Sequence, residues 1–472
     1  MIHTDTIAAI STPRGTGGVA LIRISGADAI TVASRVFIPA SGRTLADVSH
    51  AHACYGKIKR YSSGEDAVHE VSAGDTIDDG IATVFRAPHS YTGEDTVEIS
   101  CHGGILVTEE VLAAVIAAGS RPAEAGEFTR RAFTAGKLTL SEAEAVGDII
   151  HARTRSQLAL AAGAASSHLT GAVSAVADAL TSMIARVSVR IDYPEEDLAD
   201  FEDCELLAEC RNISSRIDAL AATYKTGRAV TEGINAVICG RPNAGKSTLY
   251  NLFAGAESAI VTDIAGTTRD TLTTDVTAGN VLLHLSDTAG IRETEDVIES
   301  IGVSRARERI ADAELLVTVH DATSLPAAED EELLSSPVTV KLAVINKTDR
   351  EDAVFASDYE SLAFANSAIP IRAALINGGG FDALVDAVGN AFTDGTLRLG
   401  HDAVVANARQ AAELNAASVS LAAAISALEN GVPVEIAVCE LEAALAALLR
   451  LDGRDVADTV LAEIFSKFCI GK

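Results

Sequence analysis

The stretch Ile234-Asn-Ala-Val-Ile-Cys-Gly-Arg-Pro-Asn-Ala-Gly-Lys-Ser247 joins an apolar run to a glycine-containing loop. Its second half, from Gly240 to Ser247, satisfies G-x-x-x-x-G-K-[ST], the phosphate-binding pattern found between a strand and a helix. Glycines let backbone N–H groups converge on phosphates, Lys246 reaches the β- and γ-phosphate oxygens, and Ser247 offers a hydroxyl to Mg²⁺. The stretch therefore predicts the strand, P-loop and helix of an α/β nucleotide-binding domain.

Two further segments follow apolar strands in the order that a GTP-binding domain requires. Asp287-Thr288-Ala289-Gly290 supplies a carboxylate and a glycine near Mg²⁺ and the γ-phosphate. Asn346-Lys347-Thr348-Asp349 indicates the base, because a carboxylate accepts from the ring N–H and the 2-amino group of guanine together, and adenine lacks this pair of donors. We therefore predict GTP as the nucleotide. The set is similar to the translation-factor-like class of Ras-type GTPases.

The loop between these elements indicates how hydrolysis is assisted. Ile291 follows Gly290 at the position where Ras-type proteins place the glutamine that orients the attacking water, and an apolar side chain cannot do this. Oxygen donors near Asn243 and in 262–267 suit a cation that would neutralise charge developing in the transition state. The predicted GTP-binding residues are Asn243, Ala244, Gly245, Lys246, Ser247, Thr248, Thr262, Asp263, Ile264, Ala265, Gly266, Thr267, Thr268, Asp287, Thr288, Ala289, Gly290, Asn346, Lys347, Thr348 and Asp349.

The pattern of apolar residues and turns along the chain predicts a multidomain α/β plus all-α fold. At 472 residues the chain is long enough for about three domains. Residues 1–136 mix alternating apolar stretches with Gly and Pro turns, which is typical of a compact α/β domain. Residues 137–228 and 395–472 share an Ala-rich helical periodicity. We therefore expect one helical domain, in two parts, interrupted by a Ras-like P-loop domain over 229–394.

Charge and cysteine content exclude some classes of protein. The chain has 37 Lys and Arg against 66 Asp and Glu, a net charge of -29, which excludes a generic cationic sleeve for nucleic acid. A local basic patch formed by Arg121, Arg130, Arg131 and Lys137 is not excluded, and such a patch could contact one defined nucleic acid. The seven cysteines show no Cys-x-x-Cys spacing, and neither a secretory signal nor a long uncharged apolar run is evident. We expect a cytoplasmic protein without a membrane span.

Motifs on both sides of the P-loop domain carry a family resemblance. They are Asp5-Thr-Ile-Ala-Ala, Gly17-Gly-Val-Ala-Leu-Ile-Arg-Ile-Ser-Gly26, Tyr91-Thr-Gly-Glu-Asp95, Cys101-His-Gly-Gly104, Ala125-Gly-Glu-Phe-Thr129, Arg131-Ala-Phe133 and Ile464-Phe-Ser-Lys-Phe-Cys-Ile-Gly-Lys472. From residue 5 to 472 the chain resembles the MnmE (TrmE) family, the GTPases that modify the wobble uridine of tRNA.

The resemblance implies a three-part homodimer. Its N-terminal domain would bind tetrahydrofolate and dimerise, and a Ras-like G domain would be inserted into a central helical domain. With the FAD-dependent partner MnmG (GidA), in a heterotetramer, such proteins install a carboxymethylaminomethyl or aminomethyl group at carbon 5 of the wobble uridine of certain tRNAs. The one-carbon unit would come from 5,10-methylene- or 5-formyl-tetrahydrofolate. Potassium-dependent pairing of the two G domains would trigger GTP hydrolysis, which explains how Ile291 is tolerated.

The resemblance also implies roles for individual residues. Lys246 and Thr268 would assist catalysis, and Glu299 would orient the attacking water. One element departs from the family: Arg372-Ala373-Ala374 stands where Ser-Ala-Lys is usual. The remaining implied ligands are Ser247 and Thr268 for Mg²⁺; Asn243, Thr262, Thr267 and the backbone carbonyl of Ile264 for K⁺; and Arg23, Glu98, Lys137 and Lys472 for folate.

Two other functions remain open at this stage. A ribosome-associated GTPase would use the same nucleotide motifs without folate, although the basic RNA-binding appendage expected of it is absent from the sequence. A folate regulator gated by GTP would need no RNA partner, and the acidic charge favours it slightly. Salt-dependent binding of tRNA, alone and with MnmG, separates this last function from tRNA modification.

Overall fold

The computed structural model describes residues 5–61, 76–192, 203–255, 273–287, 310–454 and 456–471. Backbone contacts group the chain into two units, Met1–Gly147 with Asp452–Lys472, and Asp148–Leu451. The first unit therefore includes both ends of the chain. The segment boundaries expected after residues 136, 228 and 394 stay predictions.

A seven-stranded sheet forms the centre of the first unit. The strand order is β3-β4-β5-β6-β2-β1-β7, and the neighbouring pairs are antiparallel except β1 with β7. Alternation along β2 directs Ile22 and Ile24 to the face that α1 and α2 cover. The strands are β1 (Ile7–Ile10), β2 (Val19–Ser25), β3 (Phe37–Pro39), β4 (His52–Lys59), β5 (Thr76–Phe85), β6 (Thr96–His102) and β7 (Arg121–Pro122), and the helices are α1 (Ala29–Val36), α2 (Ile105–Ala117), α3 (Glu127–Thr134) and α4 (Leu140–His151), with a 3₁₀ turn at Leu45–Asp47.

The C-terminal segment of the chain packs within the first unit. Helix α15 (Asp458–Ser466) contacts α3, and Phe465 is buried among Leu140, Ala143 and Phe133. Gly126 adopts φ +64°, and a Cβ there would collide with the carbonyl of Phe465. The absence of a side chain at Gly126 therefore allows two family motifs, far apart in sequence, to meet backbone to backbone.

A helical bundle occupies part of the second unit. Its core is formed by apolar side chains at helical spacing, for example Leu180, Met183, Leu414 and Leu441. Helix α5 begins with a capping box in which Thr154 and Gln157 bond to each other's backbone N–H groups. The helices are α5 (Arg155–Ala165), α6 (His168–Asp192), α7 (Asp203–Ala222), α8 (Tyr224–Thr231), α13 (Ala408–Glu429) and α14 (Val434–Leu451).

A six-stranded sheet completes the second unit. Its order is β13-β12-β11-β8-β10-β9, with every neighbouring pair parallel except the β9–β10 hairpin. Strand β8 is buried almost throughout because helices cover both faces of such a sheet. The elements are β8 (Ile234–Cys239), α9 (Lys246–Gly255), β9 (Thr273–Ala278), β10 (Val281–Asp287), β11 (Leu315–Asp321), α10 (Ala328–Leu334), β12 (Val340–Asn346), α11 (Ala356–Ala365), β13 (Ile369–Arg372), a 3₁₀ turn at Leu375–Asn377 and α12 (Phe381–Phe392). The expected α/β and all-α parts are both present.

Two bundle helices, α6 and α13, are long and apolar enough to cross a membrane by length and composition alone. Each also supplies a row of side chains, among them Leu180 and Leu421, to the core of the bundle. A core helix needs such a row, so its composition by itself does not indicate a membrane span. The expectation of no membrane contact stays a prediction.

Candidate functional site

The P-loop leaves β8 at Gly240 and enters α9 at Lys246. Gly240 and Gly245 adopt φ values of +145° and +114°. A Cβ at Gly240 would collide with the carbonyl of Val319, and one at Gly245 with the side-chain amide of Asn346. Glycine is therefore required at both positions, because the loop lies directly against the neighbouring strands.

The side chain of Lys246 folds over the P-loop. Its Nζ donates to the carbonyl of Gly240 at 2.9 Å and to that of Arg241 at 2.8 Å. Burial lowers the pKa of Lys246. A phosphate that replaces these carbonyls as acceptor would restore a full ionic partner to the ammonium group.

Asn346 connects the P-loop to the loop that follows β13. This buried side chain donates from Nδ2 to the carbonyl of Ala244 at 2.8 Å, and its Oδ1 accepts from the N–H of Leu375 at 3.0 Å. Both ends of the amide are therefore used to join loops from different strands. This contact places the Asn346–Asp349 segment beside the phosphate loop, as expected for one nucleotide site.

The rest of this segment is held by its neighbours. The carbonyl of Ala373 accepts from the N–H of Thr348 at 3.1 Å and from its Oγ1 at 2.9 Å. Lys347, at φ +63°, pairs with Asp321 at 2.5 Å. Asp349 follows with an exposed side chain. A fixed backbone with a free carboxylate is the arrangement that a base-reading aspartate needs.

The departure at Arg372-Ala373-Ala374 leaves the backbone of this loop in place. Arg372 turns away and makes two bonds, of 2.7 and 2.9 Å, to Glu360 on α11. The N–H of Ala373 donates to the carbonyl of Ile345 at 2.8 Å. The substituted loop is therefore still attached to β12 through main-chain bonds, which do not depend on side-chain identity.

Several predicted residues lie outside the described part of the chain, or have side chains that do. Within it, Asn243 and Ser247 are exposed on the P-loop and Thr248 is half-buried on α9. Asp287 ends β10, beside β8. The residues outside the described part are Thr262, Asp263, Ile264, Ala265, Gly266, Thr267, Thr268, Thr288, Ala289, Gly290, Glu299 and Lys472, and the side chain of Asp287 is likewise not described.

Two of the predicted folate residues meet on the first sheet. Arg23 and Glu98 are cross-strand neighbours on β2 and β6, and their side chains form an ion pair at 2.8 Å. The guanidinium of Arg23 also lies 5.3 Å from the ring centre of Tyr91 and 5.6 Å from that of Phe128. The sequence analysis did not single out either ring, although both belong to the family motifs quoted above.

Of the other two predicted folate residues, Lys137 lies close to Tyr91 and Lys472 is outside the described residues. Lys137 donates from Nζ to the carbonyls of Pro88 and Ser90, next to Tyr91. The carbonyl of Gly471 accepts from Ser11 Oγ at 3.0 Å, where β1 ends. Gly471 is therefore attached beside β1, the strand that pairs with β2, and Lys472 lies outside the described residues.

The basic residues noted in the sequence do not form a free cationic patch. Arg121 and Arg131 both bond to the fully buried carboxylate of Glu127, at 2.6 and 3.0 Å. Arg131 also pairs with Asp5 and Glu94. Arg130 and Lys137 likewise have partners. Acidic side chains therefore pair with the three arginines, whereas the partners of Lys137 are uncharged carbonyls, so the four residues offer little net positive charge to a nucleic acid.

Comparison with known proteins gives matches along most of the chain. Residues 6–137 match the family model described as GTP-binding protein TrmE N-terminus, and residues 140–469 match that of the MnmE helical domain. The tRNA modification GTPase MnmE of Symbiobacterium thermophilum is 40% identical over 473 residues, covering 99% of each chain. The MnmE of Moorella thermoacetica gives the same values, and that of Lactobacillus delbrueckii is 38% identical over 469 residues, covering 99% of this chain and 98% of its own.

This chain belongs to the MnmE family. The match extends over both units, so the family resemblance inferred from the sequence is confirmed. Among solved structures, a crystal structure of Era from Aquifex aeolicus is 25% identical and covers 40% of this chain and 66% of its own, with a TM-score of 0.26. That score is low, and the membership in the MnmE family rests on the full-length relatives.

Proposed function

We propose that this protein is a potassium-dependent GTPase that, with an FAD-dependent MnmG partner, modifies the wobble uridine of certain tRNAs with a folate-derived one-carbon unit. The observation that carries the proposal is a P-loop joined through Asn346 to a guanine-reading segment, in a chain that matches tRNA modification GTPases over 99% of its length. GTP hydrolysis is coupled to pairing of the G domains and drives a conformational change. The carbon chemistry is a separate event.

The residues of the P-loop fit the proposed nucleotide and cations. Asn243 adopts φ +62°, and neither its side chain nor that of Ser247 bonds to another residue within the described part of the chain. An amide oxygen and a hydroxyl oxygen are therefore free for hard cations such as K⁺ and Mg²⁺. When bound, these cations neutralise charge on the phosphates. Lys246 orients the β- and γ-phosphates, and the backbone N–H groups of the loop surround them.

Ile291 requires that something other than a glutamine assists hydrolysis. Asn243 and the segment 262–267 would hold potassium, which would supply charge neutralisation, and Glu299 would orient the water. Thr268 completes the Mg²⁺ ligands with Ser247. These assignments rest on the family pattern and on the oxygen-rich composition of the segment.

The first test is steady-state GTP turnover in potassium buffer against sodium buffer. We expect potassium to raise the turnover number at least about tenfold, because an ion of the right size substitutes for an arginine in the transition state. Asn243→Ala should remove this advantage and leave GTP affinity within about twofold. The matched control is Asn377→Ala, an exposed amide on the 3₁₀ turn after β13. Equal turnover in both buffers would refute the potassium mechanism.

The Arg23–Glu98 pair supports a folate site on the first sheet. A pterin presents a ring N–H and a 2-amino group, a donor pair that a carboxylate such as Glu98 accepts bidentately. Tyr91 and Phe128 offer aromatic faces next to the pair, and cations at Lys137 and Lys472 suit the glutamate tail of the cofactor. Bound 5-formyl- or 5,10-methylene-tetrahydrofolate supplies the one-carbon unit.

Glu98→Gln should weaken binding of 5-formyl-tetrahydrofolate about 10- to 100-fold, since one charged acceptor for two donors is lost. Isothermal titration calorimetry on the intact protein measures the effect. Glu110→Gln provides the control, because Glu110 forms a more exposed ion pair with Arg60 in the same unit. Equal folate affinity in wild type and Glu98→Gln would place the pterin elsewhere.

The proposed assembly is a cytoplasmic homodimer that binds MnmG and tRNA. One face of the first sheet supports self-association, because Tyr55 and Ile81 are cross-strand neighbours on it and are 58% and 46% exposed. Exposed neighbouring apolar side chains on a sheet are typical of an interface. The net charge of this chain is -29, and phosphates are bound by basic residues. We therefore expect MnmG to contribute most of the contacts to the tRNA phosphates.

A further inference from the structure

The β9–β10 hairpin joins the two segments that carry most of the predicted catalytic residues. Its open end continues into 256–272 before β9 and into 288–309 after β10. Its closed end is a two-residue turn at Gly279-Asn280, with Gly279 at φ +61°. A shift of the hairpin therefore moves Thr273 and Asp287, the strand ends from which these two segments continue, together.

Side chains from outside the six-stranded sheet hold this hairpin. Arg153, just before α5, pairs with Asp275 on β9 at 2.6 Å. Ser156, in the first turn of α5, donates to the side-chain carbonyl of Asn280 at 2.8 Å. Because the capping box fixes the start of α5, both contacts come from an ordered point on the helical part of the unit.

A third contact holds the hairpin at the place where the chain passes from α8 into the G domain. Asp275 uses its other oxygen for the cross-strand neighbour His284, at 2.7 Å, and the second ring nitrogen of His284 lies 2.7 Å from the carbonyl of Glu232. Gly233 adopts φ +82°, and a Cβ there would collide with the ring of His284. We call Arg153, Asp275, His284 and the Glu232 carbonyl the hairpin clasp.

Resting on the proposed GTPase function, we propose that Arg153 is a positioning residue for GTP hydrolysis that acts from the helical part through the hairpin clasp. The clasp holds β10, and hence Asp287 at its end, in register with β8 and the P-loop. The guanine-reading segment, Asn346–Asp349, ends β12 and is bonded to the loop after β13. Among the described residues, the clasp bonds to neither. Loss of the clasp therefore affects hydrolysis more than GTP affinity.

The coupling also runs in the opposite direction. Asp275 has only 18% of its side-chain surface exposed, so the ion pair is partly shielded from solvent and responds to small displacements of the hairpin. A displacement of the hairpin on nucleotide binding is therefore transmitted from Asp275 through Arg153 to α5. The clasp thus connects the nucleotide state to the helical bundle by side chains on an identifiable path.

The test compares Arg153→Ala with Arg211→Ala, a control that removes an exposed arginine ion pair with Glu429 at the same distance of 2.6 Å. We expect Arg153→Ala to lower the turnover number about fivefold and to leave GTP affinity within about twofold. Arg153→Lys should recover part of the loss. In a double-mutant cycle, Arg153→Ala with Asp275→Asn should be no slower than either single variant.

Hydrogen exchange supplies a readout that does not depend on turnover. Adding a non-hydrolysable GTP analogue to wild type should change exchange in α5 (Arg155–Ala165), and Arg153→Ala should abolish that change. Equal turnover of Arg153→Ala and Arg211→Ala would overturn the inference, as would a parallel loss of GTP affinity, which would indicate only structural damage. If wild type itself neither binds nor hydrolyses GTP, the proposed function fails instead.

Discussion

Replacing Asp349 with asparagine is expected to weaken GTP binding by about a thousandfold or more, because guanine then loses the carboxylate that accepts from both of its donors. The amide of the new side chain would also face the 2-amino group, donor against donor. Xanthosine triphosphate carries a carbonyl at that position, so the variant should bind it better than wild type does. Fluorescence titration with both nucleotides measures the exchange of preference.

Asp352→Asn is the matched control for this experiment. Asp352 lies three residues further on, is exposed and pairs with Arg350. Its loss should leave both affinities unchanged. The two variants should differ clearly in GTP affinity, because Asn346 and Thr348 fix the backbone that carries Asp349. Unaltered GTP affinity in Asp349→Asn would contradict the assignment of the guanine-reading residue.

The second large effect is expected at Glu127, which is fully buried in the first unit. Its carboxylate accepts two bonds from Arg121, one from Arg131 and one from the N–H of Glu124. Glu127→Gln takes this carboxylate away from the buried guanidinium of Arg131 and the partly exposed one of Arg121, and both keep Asp5 as a partner. The free energy of unfolding of this unit should therefore fall by about 3 kcal/mol. Urea unfolding of the intact protein, followed by hydrogen exchange in α3, reports this loss.

The carboxylate of Glu127 also makes the stability of the first unit depend on pH. Burial raises the pKa of Glu127, but the hydrogen bonds from Arg121, from the Glu124 N–H and from Arg131 outweigh it and lower that pKa from 4.5 to about 2. A carboxyl group whose pKa is lowered by folding stabilises the fold above its unfolded pKa and loses that contribution as the pH falls through the folded one. The first unit of wild type should therefore lose about 3 kcal/mol from this group between pH 4.5 and 2.

Glu127→Gln should lack this part of the pH dependence, since glutamine does not titrate. Glu124→Gln serves as control, because its side chain is 66% exposed and, among the described residues, its ion pair is with Arg130 at 3.2 Å. The control should retain the stability and the acid sensitivity of wild type. Identical acid unfolding of wild type and Glu127→Gln would show that the buried network contributes nothing to acid sensitivity.

The sequence predicts the local geometry of the P-loop but not the distant partners of the arginines. The P-loop pattern placed Gly240, Gly245 and Lys246 correctly, because the strand, loop and helix are contiguous and their geometry is local. The sequence left a basic patch at Arg121 and Arg131 possible, and the structure pairs these arginines with Asp5 and Glu94 from distant positions in the chain. Net charge and spacing contain no information about such partners.

Some predicted roles stay predictions for a simpler reason. Glu299 and Thr268 lie outside the described residues, so their roles rest on the family pattern alone. Tyr91 and Phe128 were quoted only as parts of motifs, and tertiary packing of a loop and of α3 places them around Arg23. The aromatic residues within those motifs were the signal in the sequence for a site lined by aromatic rings.

The sequence by itself determined the P-loop, the preference for guanine, the alternation of α/β and helical parts, and the family. Each of these depends on short runs of residues, whose spacing fixes backbone geometry or hydrogen-bonding chemistry locally. Only the tertiary structure decided that Glu98 pairs with Arg23, that Gly126 receives the C-terminal helix, and that Arg153 holds the β9–β10 hairpin. Those contacts join residues 75 or more positions apart, and chain folding alone brings such residues together.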